Sequence, residues 1–401
     1  MQSTDSFDIL ILGGGCAGIT TAAHIKNMLP GKLKNSSVAI VEPSEKHYYQ
    51  PLWTLVGGGV YPLSKTVRKE ASLIPPGVRW IKDSVAQIHP ENNTVTTASG
   101  TVLHYRALVV ALGLRLAWEK IPGLAESVGK HCVCSNYSPE TVSYTWECTR
   151  NFRGGTAIFT QPLPPIKCGG APQKIMYLAE SYFRKSGVRS QSEVHFFSAA
   201  ANIFAVKRYA DTLDKVIERK QIETHYRNNL VELRPKAREA VFKHLDTGEM
   251  TTMHYDMIHV TPPQGPLDLV KQSTLGNADG WVDVDKFTLQ HTRFPNVFGL
   301  GDSSSLPTSK TGAAVRKQSP VAAANLIAWM QGQPLVRKYN GYTSCPLVTG
   351  YGSLVMAEFD YDGKPQETFP IDQSKERYSM YFVKKHLLPR LYWHGMLRGK
   401  A

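Results

Sequence analysis

The hydrophobic and polar positions of the chain alternate between short apolar runs and amphipathic stretches, as in α/β proteins with buried parallel strands. Residues 7–12 and 37–41 are apolar and rich in β-branched side chains, and residues 19–28 between them fit a helix. The same order returns later, as strand-like and helical stretches at 155–160, 172–185, 194–198, 204–220, 257–261 and 313–330. The pattern predicts an α/β fold with two Rossmann-like lobes.

A glycine-rich turn follows the first predicted strand. Gly13, Gly15 and Gly18 have the G-x-G-x-x-G spacing, in which glycines permit a tight turn, close approach of a pyrophosphate and close helix–strand packing. The second strand ends at Glu42, where an acidic residue takes ribose hydroxyls. These elements stand in the order of a dinucleotide-binding unit, and their position at the N-terminus favours FAD over NAD.

Two later stretches also favour FAD. Residues 105–113, which end at Gly113, resemble the strand and turn that close the first lobe of two-nucleotide flavoproteins. Residues 294–302 resemble their second FAD motif, in which Asp302 would hydrogen-bond the ribityl chain, although an Asp here could instead cap the next turn. The predicted units are an FAD lobe at 1–115 and 290–335, a second lobe at 116–289 and a C-terminal segment at 336–401.

The second lobe departs from an NAD-binding unit at its first turn. Residues 161–166 carry three prolines where a phosphate-binding loop would carry glycines. Proline fixes φ and removes N–H donors that a pyrophosphate needs. We therefore expect this lobe to keep the fold without binding NAD.

The same loop carries a candidate reactive thiol, Cys168, just ahead of a predicted helix. Pro172 suits the first turn of that helix, because its missing N–H would be unpaired there anyway. A helix N-terminus favours a thiolate, and Lys167 and Lys174 act in the same direction. The alternative for Cys168 is a buried, inert cysteine.

Cys345 is the second candidate thiol. It precedes Pro346, which favours an extended conformation and, we expect, an exposed thiol. Two thiols that meet over a flavin can cycle between disulfide, persulfide and thiolate. Lys310, at the start of another predicted helix, would stabilise negative charge on a reduced flavin, or else be an ordinary solvated lysine.

Composition narrows the choice of partners. The net charge of +13 suits nucleic acid, an acidic membrane surface or anionic ligands, but no helix-turn-helix or zinc-finger spacing is present, so we expect no nucleic acid. Six scattered cysteines do not form a secreted disulfide framework. Cys132 and Cys134 lack a partner pair at zinc spacing, so the sequence predicts no metal site. No leader peptide or membrane-spanning run is recognised.

The end of the chain interleaves basic residues with aromatic residues and leucines over 378–398. This composition suits a helix that lies in a membrane interface. The alternative is an ordinary C-terminal helix packed on the body of the protein. The basic residues of this stretch are Lys384, Lys385, His386, Arg390 and Arg398.

Several long stretches together resemble the sulfide:quinone oxidoreductase family, and its mitochondrial type most closely. They cover essentially the whole chain, at 41–45, 48–59, 167–177, 306–311, 342–350 and 372–377. The resemblance implies FAD, hydrogen sulfide as donor, ubiquinone as acceptor, and a place on the periphery of the mitochondrial inner membrane or of a bacterial cytoplasmic membrane. The cofactor-binding positions that we expect are Gly13, Gly15, Gly18, Glu42, Gln50, Gly113, Asp302 and Lys310.

The resemblance also implies roles for the reactive residues. Hydrosulfide would attack a bridge between Cys168 and Cys345, leaving Cys345 as a persulfide and Cys168 as the thiolate that attacks the flavin. Sulfite, glutathione or another small acceptor would remove the persulfide sulfur. Lys174 and Lys310 match basic positions that would attract anionic hydrosulfide and sulfite.

Two other functions stay open from the residues. A type II NADH:quinone oxidoreductase shares FAD, two lobes and a membrane tail, but needs a glycine loop after the strand at 155–160. A non-catalytic flavin protein that binds acidic partners through its basic surface would tolerate Cys168→Ser. Bacterial relatives carry a third cysteine near Cys132 and Cys134 that the mitochondrial type lacks, and we expect neither cysteine to act.

Overall fold

The chain begins with the predicted strand–turn–helix unit, in a computed structural model that describes residues 4–401. Apolar residues of the first strand are fully buried, as expected for a strand covered on both faces. The elements up to residue 110 are β1 (Thr4–Leu12), α1 (Cys16–Met28), β2 (Val38–Val41), β3 (Lys46–Tyr48), α2 (Trp53–Gly57), β4 (Val67–Lys69), β5 (Val78–Ile81), β6 (Val85–His89), β7 (Thr94–Thr97) and β8 (Val102–Val110).

The middle of the chain contains the second series of strands and helices. These elements are β9 (Arg115–Leu116), β10 (Val133–Cys134), α3 (Val142–Asn151), β11 (Gly155–Gln161), α4 (Ala171–Ser186), β12 (Ser192–Ser198), α5 (Lys207–Lys220), β13 (Glu223–Tyr226), β14 (Asn228–Arg234), β15 (Glu239–His244), β16 (Met250–His254), β17 (Met257–His259), β18 (Gln264–Gly265) and α6 (Asp268–Gln272).

The last third of the chain contains one long helix, a hairpin and a broken helical segment. Its strands and α-helices are β19 (Val297–Gly299), α7 (Gly312–Met330), β20 (Thr343–Gly350), β21 (Ser353–Phe359), α8 (Tyr378–Phe382) and α9 (Leu388–Arg390). Around α9 lie two π-helical turns and a 3-10 turn, at Val383–Leu387, Leu391–Gly395 and Met396–Arg398.

The first sheet is parallel in the order β5-β2-β1-β8 and continues through antiparallel β7 and β6. Strand β19 pairs in parallel with the end of β8, so the chain returns to this sheet after the middle region. The stretch that carries Asp302 therefore follows a strand of the first sheet. The boundaries near residues 115, 289 and 335 stay predictions.

The second sheet is entirely parallel, in the order β10-β17-β11-β12-β13. A separate three-stranded antiparallel sheet, β14-β15-β16, was not predicted from the sequence. Strands β20 and β21 form an antiparallel hairpin, which brings Cys345 opposite Ala357. The two Rossmann-like sheets are those that the sequence pattern predicts.

Two expectations about helices need correction. Helix α5 begins at Lys207, since Phe204 is buried in the loop before it. The C-terminal segment is a broken series of α, π and 3-10 turns in which Pro389 lies at the start of α9, so it is not one regular helix. Within residues 4–401, we find no helix both long and apolar enough to cross a bilayer.

Candidate functional site

The loop between β11 and α4 presents Cys168 at the start of a helix, as the sequence predicts. Pro172 lies in the first turn of α4. The Cys168 carbonyl accepts a hydrogen bond from the Ala171 N–H at 3.0 Å, so the chain turns into the helix immediately after the cysteine. The backbone N–H groups of Gly170 and Ala171 also lower the pKa of the Cys168 thiol. The helix start therefore stabilises a thiolate here.

The structure brings Cys168 and Cys345 together. A hydrogen bond from the Cys345 side chain lowers the pKa of Cys168 to about 5, against the effect of burial, and nearby Lys174 adds to the decrease. The same hydrogen bond and burial raise the pKa of Cys345 well above its ordinary value. The hydrogen bond therefore favours a thiolate at Cys168 and a thiol at Cys345. Both cysteines are in the free form.

Our expectation that Pro346 exposes the thiol of Cys345 was wrong. The extended conformation is present, since Cys345 lies in β20. The side chain is nevertheless buried, because the β20–β21 hairpin packs over the start of α4, where Leu347 and Cys345 contact Gly170. This contact joins residues far apart in sequence, which a local rule for proline cannot predict.

Two buried lysines face the sulfur pair. Burial lowers the pKa of Lys174, but the sulfurs of Cys345 and Cys168 outweigh burial and raise it above the ordinary value. Lys384, from the C-terminal segment, donates from Nζ to the Pro51 carbonyl at 2.7 Å. Burial, and then the charge of Lys174, lower the pKa of Lys384 to about 7. The amines of Lys174 and Lys384 therefore both lie near the single thiolate of Cys168.

Sequence reasoning missed Lys384. We grouped it with the basic residues expected at a membrane surface, whereas the structure buries it and leaves Lys385 half-buried beside it. Nothing in the local sequence separates these two adjacent lysines. Sequence reasoning also missed Gly170, whose role depends on the distant Cys345.

Lys167 connects the cysteine loop to three expected cofactor-binding positions. Its Nζ lies 2.9 Å from Asp302 Oδ2 and donates to Gln50 Oε1 at 3.2 Å. Its backbone N–H donates to Gln264 Oε1 at 2.8 Å, and its carbonyl accepts from the Lys310 N–H at 2.6 Å. Four segments of the chain therefore meet at this lysine.

Lys310 lies near the N-terminus of α7. Burial lowers the pKa of its amine to about 8, although Asp302 opposes this change. Its Nζ donates to the Ser304 carbonyl at 2.7 Å and lies 4.2 Å from the ring centre of Trp281. A cavity of about 530 Å³ opens beside it, with a lining that includes Ile166, Gly169, Ser304, Lys310 and Tyr361. A half-buried amine at a helix start is suited to stabilise a developing anion.

The glycine turn of the first lobe leaves room for a nucleotide. Gly13 has a φ of +96°, and a Cβ there would stand 2.5 Å from the Ala111 carbonyl oxygen, so only glycine fits. By contrast, no atom lies within 4 Å of the Cβ positions of Gly15 and Gly113. Helix α1 begins at Cys16 with no side-chain cap, so its first N–H groups are free to bind an anion.

The acidic residue at the end of β2 closes the same turn. Glu42 accepts hydrogen bonds from the Gly14 N–H at 2.7 Å and the Ser44 N–H at 2.8 Å, which orients its carboxylate. Each oxygen keeps a further lone pair for a ribose hydroxyl. A Cβ at Gly18 would collide with the Gly13 carbonyl, as close helix–strand packing requires. These residues fit FAD.

The C-terminal segment packs against this nucleotide unit on one side. The His47 ring bridges the Tyr392 hydroxyl at 2.5 Å and the Glu70 carboxylate at 3.2 Å. The Arg68 guanidinium lies 4.7 Å from the ring centre of Trp393. The segment is therefore docked on the lobe that carries the cofactor-binding positions.

Cys134 lies in β10, and Cys132 precedes that strand directly. Burial raises the pKa of both thiols, and a hydrogen bond with Cys148 adds to the effect at Cys134. A raised pKa disfavours the thiolate at both positions, and our expectation that neither cysteine acts stays a prediction.

The fold and site define a class, the two-lobed FAD-dependent oxidoreductases. In agreement, residues 7–138 match the family model for pyridine nucleotide-disulphide oxidoreductases. Sulfide:quinone oxidoreductase, mitochondrial, from Mus musculus is 50% identical over 394 residues, which cover 98% of this chain and 87% of the relative. The protein of the same name from Dictyostelium discoideum is 47% identical over 395 residues, covering 98% and 86%. The chain belongs to the sulfide:quinone oxidoreductase family.

A solved structure supports the fold. The X-ray structure of the sulfide:quinone oxidoreductase from Aquifex aeolicus superposes with a TM-score of 0.82 at 18% identity, covering 99% of this chain and 92% of that one. The predicted fold class, the family indicated by the resemblance and the FAD cofactor are confirmed. The roles of individual site residues stay predictions.

Proposed function

We propose that the protein oxidises hydrogen sulfide and passes the electrons through FAD to ubiquinone, while the sulfur moves to a small acceptor such as sulfite or glutathione. The contact between Cys168 and Cys345, with its unequal thiol pKa values, carries the proposal. The names of the relatives, which are sulfide:quinone oxidoreductases, agree with it.

The reaction begins with a disulfide between the two cysteines. Hydrosulfide attacks the sulfur of Cys345, forms a new S–S bond there and displaces Cys168 as a thiolate. The low pKa of Cys168 makes it the better leaving group, which sets the direction of attack. Buried, charged Lys174 offsets the negative charge that enters the site.

The sulfur then leaves and the disulfide is restored. A small nucleophile takes the outer sulfur from Cys345 and leaves a second thiolate. When the bond between Cys168 and Cys345 forms again, it releases two electrons. A bound FAD would supply the two-electron acceptor that this step needs and the link to the quinone. Each turnover thus removes two electrons from one sulfide.

The same proposal assigns membrane contact and quinone access to residues 378–398. One side of this segment is buried, including Tyr381, Tyr392 and Trp393. The other side exposes large apolar side chains, which are Tyr378, Phe382, Leu387 and Leu391. An apolar face with basic neighbours suits the interface of an anionic membrane. This supports a peripheral position on the mitochondrial inner membrane.

Sulfide added to the FAD-loaded protein without oxygen or quinone tests the function. We expect a long-wavelength charge-transfer band from the Cys168 thiolate on addition of sulfide, and bleaching of the flavin once sulfite is added as the sulfur acceptor. Cys168→Ser and Cys345→Ser should lose sulfide-dependent reduction of a soluble ubiquinone. Cys148→Ser, at a buried cysteine of α3, is the matched control and should keep it.

Normal turnover in either site variant would refute the proposal. Bleaching by NADH without bleaching by sulfide would instead identify a type II NADH:quinone oxidoreductase. Bleaching by neither reagent would leave a flavin protein without this chemistry and would also end the proposal.

A further inference from the structure

Two short motifs of the same kind lie side by side in the second sheet, apart from the cysteine site. Each is Glu-x-His, with Glu193 and His195 in β12 and Glu223 and His225 in β13. Side chains alternate along a strand, so the Glu and His of each motif share a face. The strands are parallel neighbours, with His195 paired with Glu223. All four side chains therefore lie on one face of the sheet.

The distances among these side chains are equal to, or slightly shorter than, those between metal ligands. His195 Nδ1 lies 3.1 Å from His225 Nε2 and 3.4 Å from Glu223 Oε2. In a tetrahedral zinc site with bonds of about 2.0–2.2 Å, the ligand atoms stand roughly 3.3–3.5 Å from one another. One ligand atom from each of these three residues lies within 4.8 Å of the others.

The surroundings of the two rings also fit a metal site. His195 Nε2 is buried and forms no hydrogen bond with any residue of 4–401, and Glu193 Oε2 lies 3.6 Å from it. Metal-bound histidines commonly direct their second ring nitrogen to a carboxylate, which fixes the tautomer. The His225 ring stacks on Phe197 with ring centres 4.1 Å apart, which fixes its plane.

We propose that His195, His225 and Glu223 bind a divalent transition-metal ion such as Zn²⁺, with Glu193 as a positioning residue for His195. Two imidazoles and one carboxylate suit zinc and leave a fourth position for water. The ion links β12 to the edge strand β13. Strand β12 lies between β13 and β11, and β11 is the strand that leads to Cys168. The sequence predicted no metal site because only cysteine spacing was considered.

Zinc binding to the FAD-loaded full chain tests this site, with Zn²⁺ itself as the probe. Equilibrium dialysis should give one bound zinc ion per chain. The X-ray absorption spectrum of this ion should show nitrogen and oxygen neighbours, together with the outer-shell scattering of imidazole rings. Zinc also binds thiolates, so the spectrum must distinguish zinc at the histidine site from zinc bound to cysteine sulfur. If all bound zinc has sulfur neighbours at about 2.3 Å, the proposal is wrong.

Glu223 is exposed and His225 is half-buried, so both ligands can be changed with little risk to the fold. Glu223→Gln and His225→Gln should each weaken zinc binding by at least tenfold, and Glu193→Gln by about tenfold through loss of the positioning carboxylate. His254→Gln is the matched control, because His254 is exposed and lies 3.9 Å from Asp256 in the same lobe. Unchanged affinity in Glu223→Gln and His225→Gln would overturn the site, as would an equal loss in His254→Gln.

Discussion

Cys345 Sγ lies so close to the backbone of Gly170 that a Cβ at this glycine would stand 2.6 Å from the sulfur. Gly170 has an ordinary helical conformation, with a φ of −90°. The glycine is therefore required for space, not for backbone freedom. The approach of β20 to the start of α4, and with it the sulfur pair, depends on this missing side chain.

Gly170→Ala should separate the two sulfurs. The added methyl meets Cys345 and Leu347, and overpacking of this kind costs about 1–3 kcal/mol of unfolding free energy. Sulfide-dependent flavin reduction should slow at least tenfold, because attack and disulfide formation need close sulfurs. Chemical denaturation and stopped-flow absorbance measure the two effects. Gly169→Ala is the control, since no atom lies within 4 Å of its Cβ position. Equal losses of stability and of flavin reduction in both variants would show that the space at Gly170 does not set the distance between the sulfurs.

The low pKa of Cys168 predicts the pH dependence of its alkylation. Only the thiolate reacts, so in the reduced protein the rate at Cys168 should rise with pH through a midpoint near 5. Cys345→Ala removes the main hydrogen bond and should shift the midpoint upward, and Lys174→Met should shift it less. Mass spectrometry of iodoacetamide-labelled peptides measures the rates. Cys16 is the control: burial raises the pKa of its thiol to about 12, so it should stay unlabelled. A midpoint for Cys168 near the free-cysteine value of about 8.5 would refute the low pKa of this thiol.

Lys384 predicts a second pH effect, in stability. Its folded-state pKa is about 7, below the ordinary lysine value, so between these values the unfolded chain binds the extra proton. Stability should therefore rise with pH above 7, by at most about 1.4 kcal/mol per pH unit from this group. In Lys384→Met this increment should be missing, as measured by urea unfolding from pH 6 to 9. Lys385→Met is the control and should keep the increment. If the unfolding free energies of the wild type and Lys384→Met change with pH in parallel, the prediction is wrong.

The local elements could be predicted because their signals are local. The glycine turn between β1 and α1 and the proline in the first turn of α4 lie within a few residues of the structures they determine. Periodicity alone located most of the buried strands and long helices. That the proline loop before Cys168 excludes NAD from the second lobe stays a prediction.

The geometry of the site could not be predicted in the same way, because it depends on contacts between distant segments. Cys345 is buried by packing of its hairpin on α4, which no neighbour of Cys345 in the sequence indicates. Lys384 and Lys385 are adjacent and alike, yet the turn of the C-terminal segment directs only Lys384 to Pro51. The resemblance to a family supplied the pairing of the cysteines, and the local sequence indicated Lys174 and the helix start. The hydrogen bond from Cys345, which lowers the pKa of Cys168 most, was not predicted.

The exposed face of the C-terminal segment predicts membrane binding that can be weakened without loss of chemistry. Phe382 and Leu387 are 45% and 44% exposed, and full burial of such side chains stabilises by about 1.5–3 kcal/mol each. Phe382→Gln combined with Leu387→Gln should therefore lower partition into anionic phospholipid vesicles at least tenfold, measured by co-sedimentation. Turnover with a soluble quinone should stay unchanged, whereas turnover with long-chain ubiquinone in vesicles should fall.

A matched control separates this face from general surface hydrophobicity. Met250 is 55% exposed in β16 of the second lobe, so Met250→Gln removes a similar apolar group elsewhere. It should leave vesicle partition as in the wild type. If the double variant partitions like the wild type, or if Met250→Gln weakens binding equally, then residues 378–398 do not form the membrane contact. Quinone access would then have to be sought on another face of the FAD lobe.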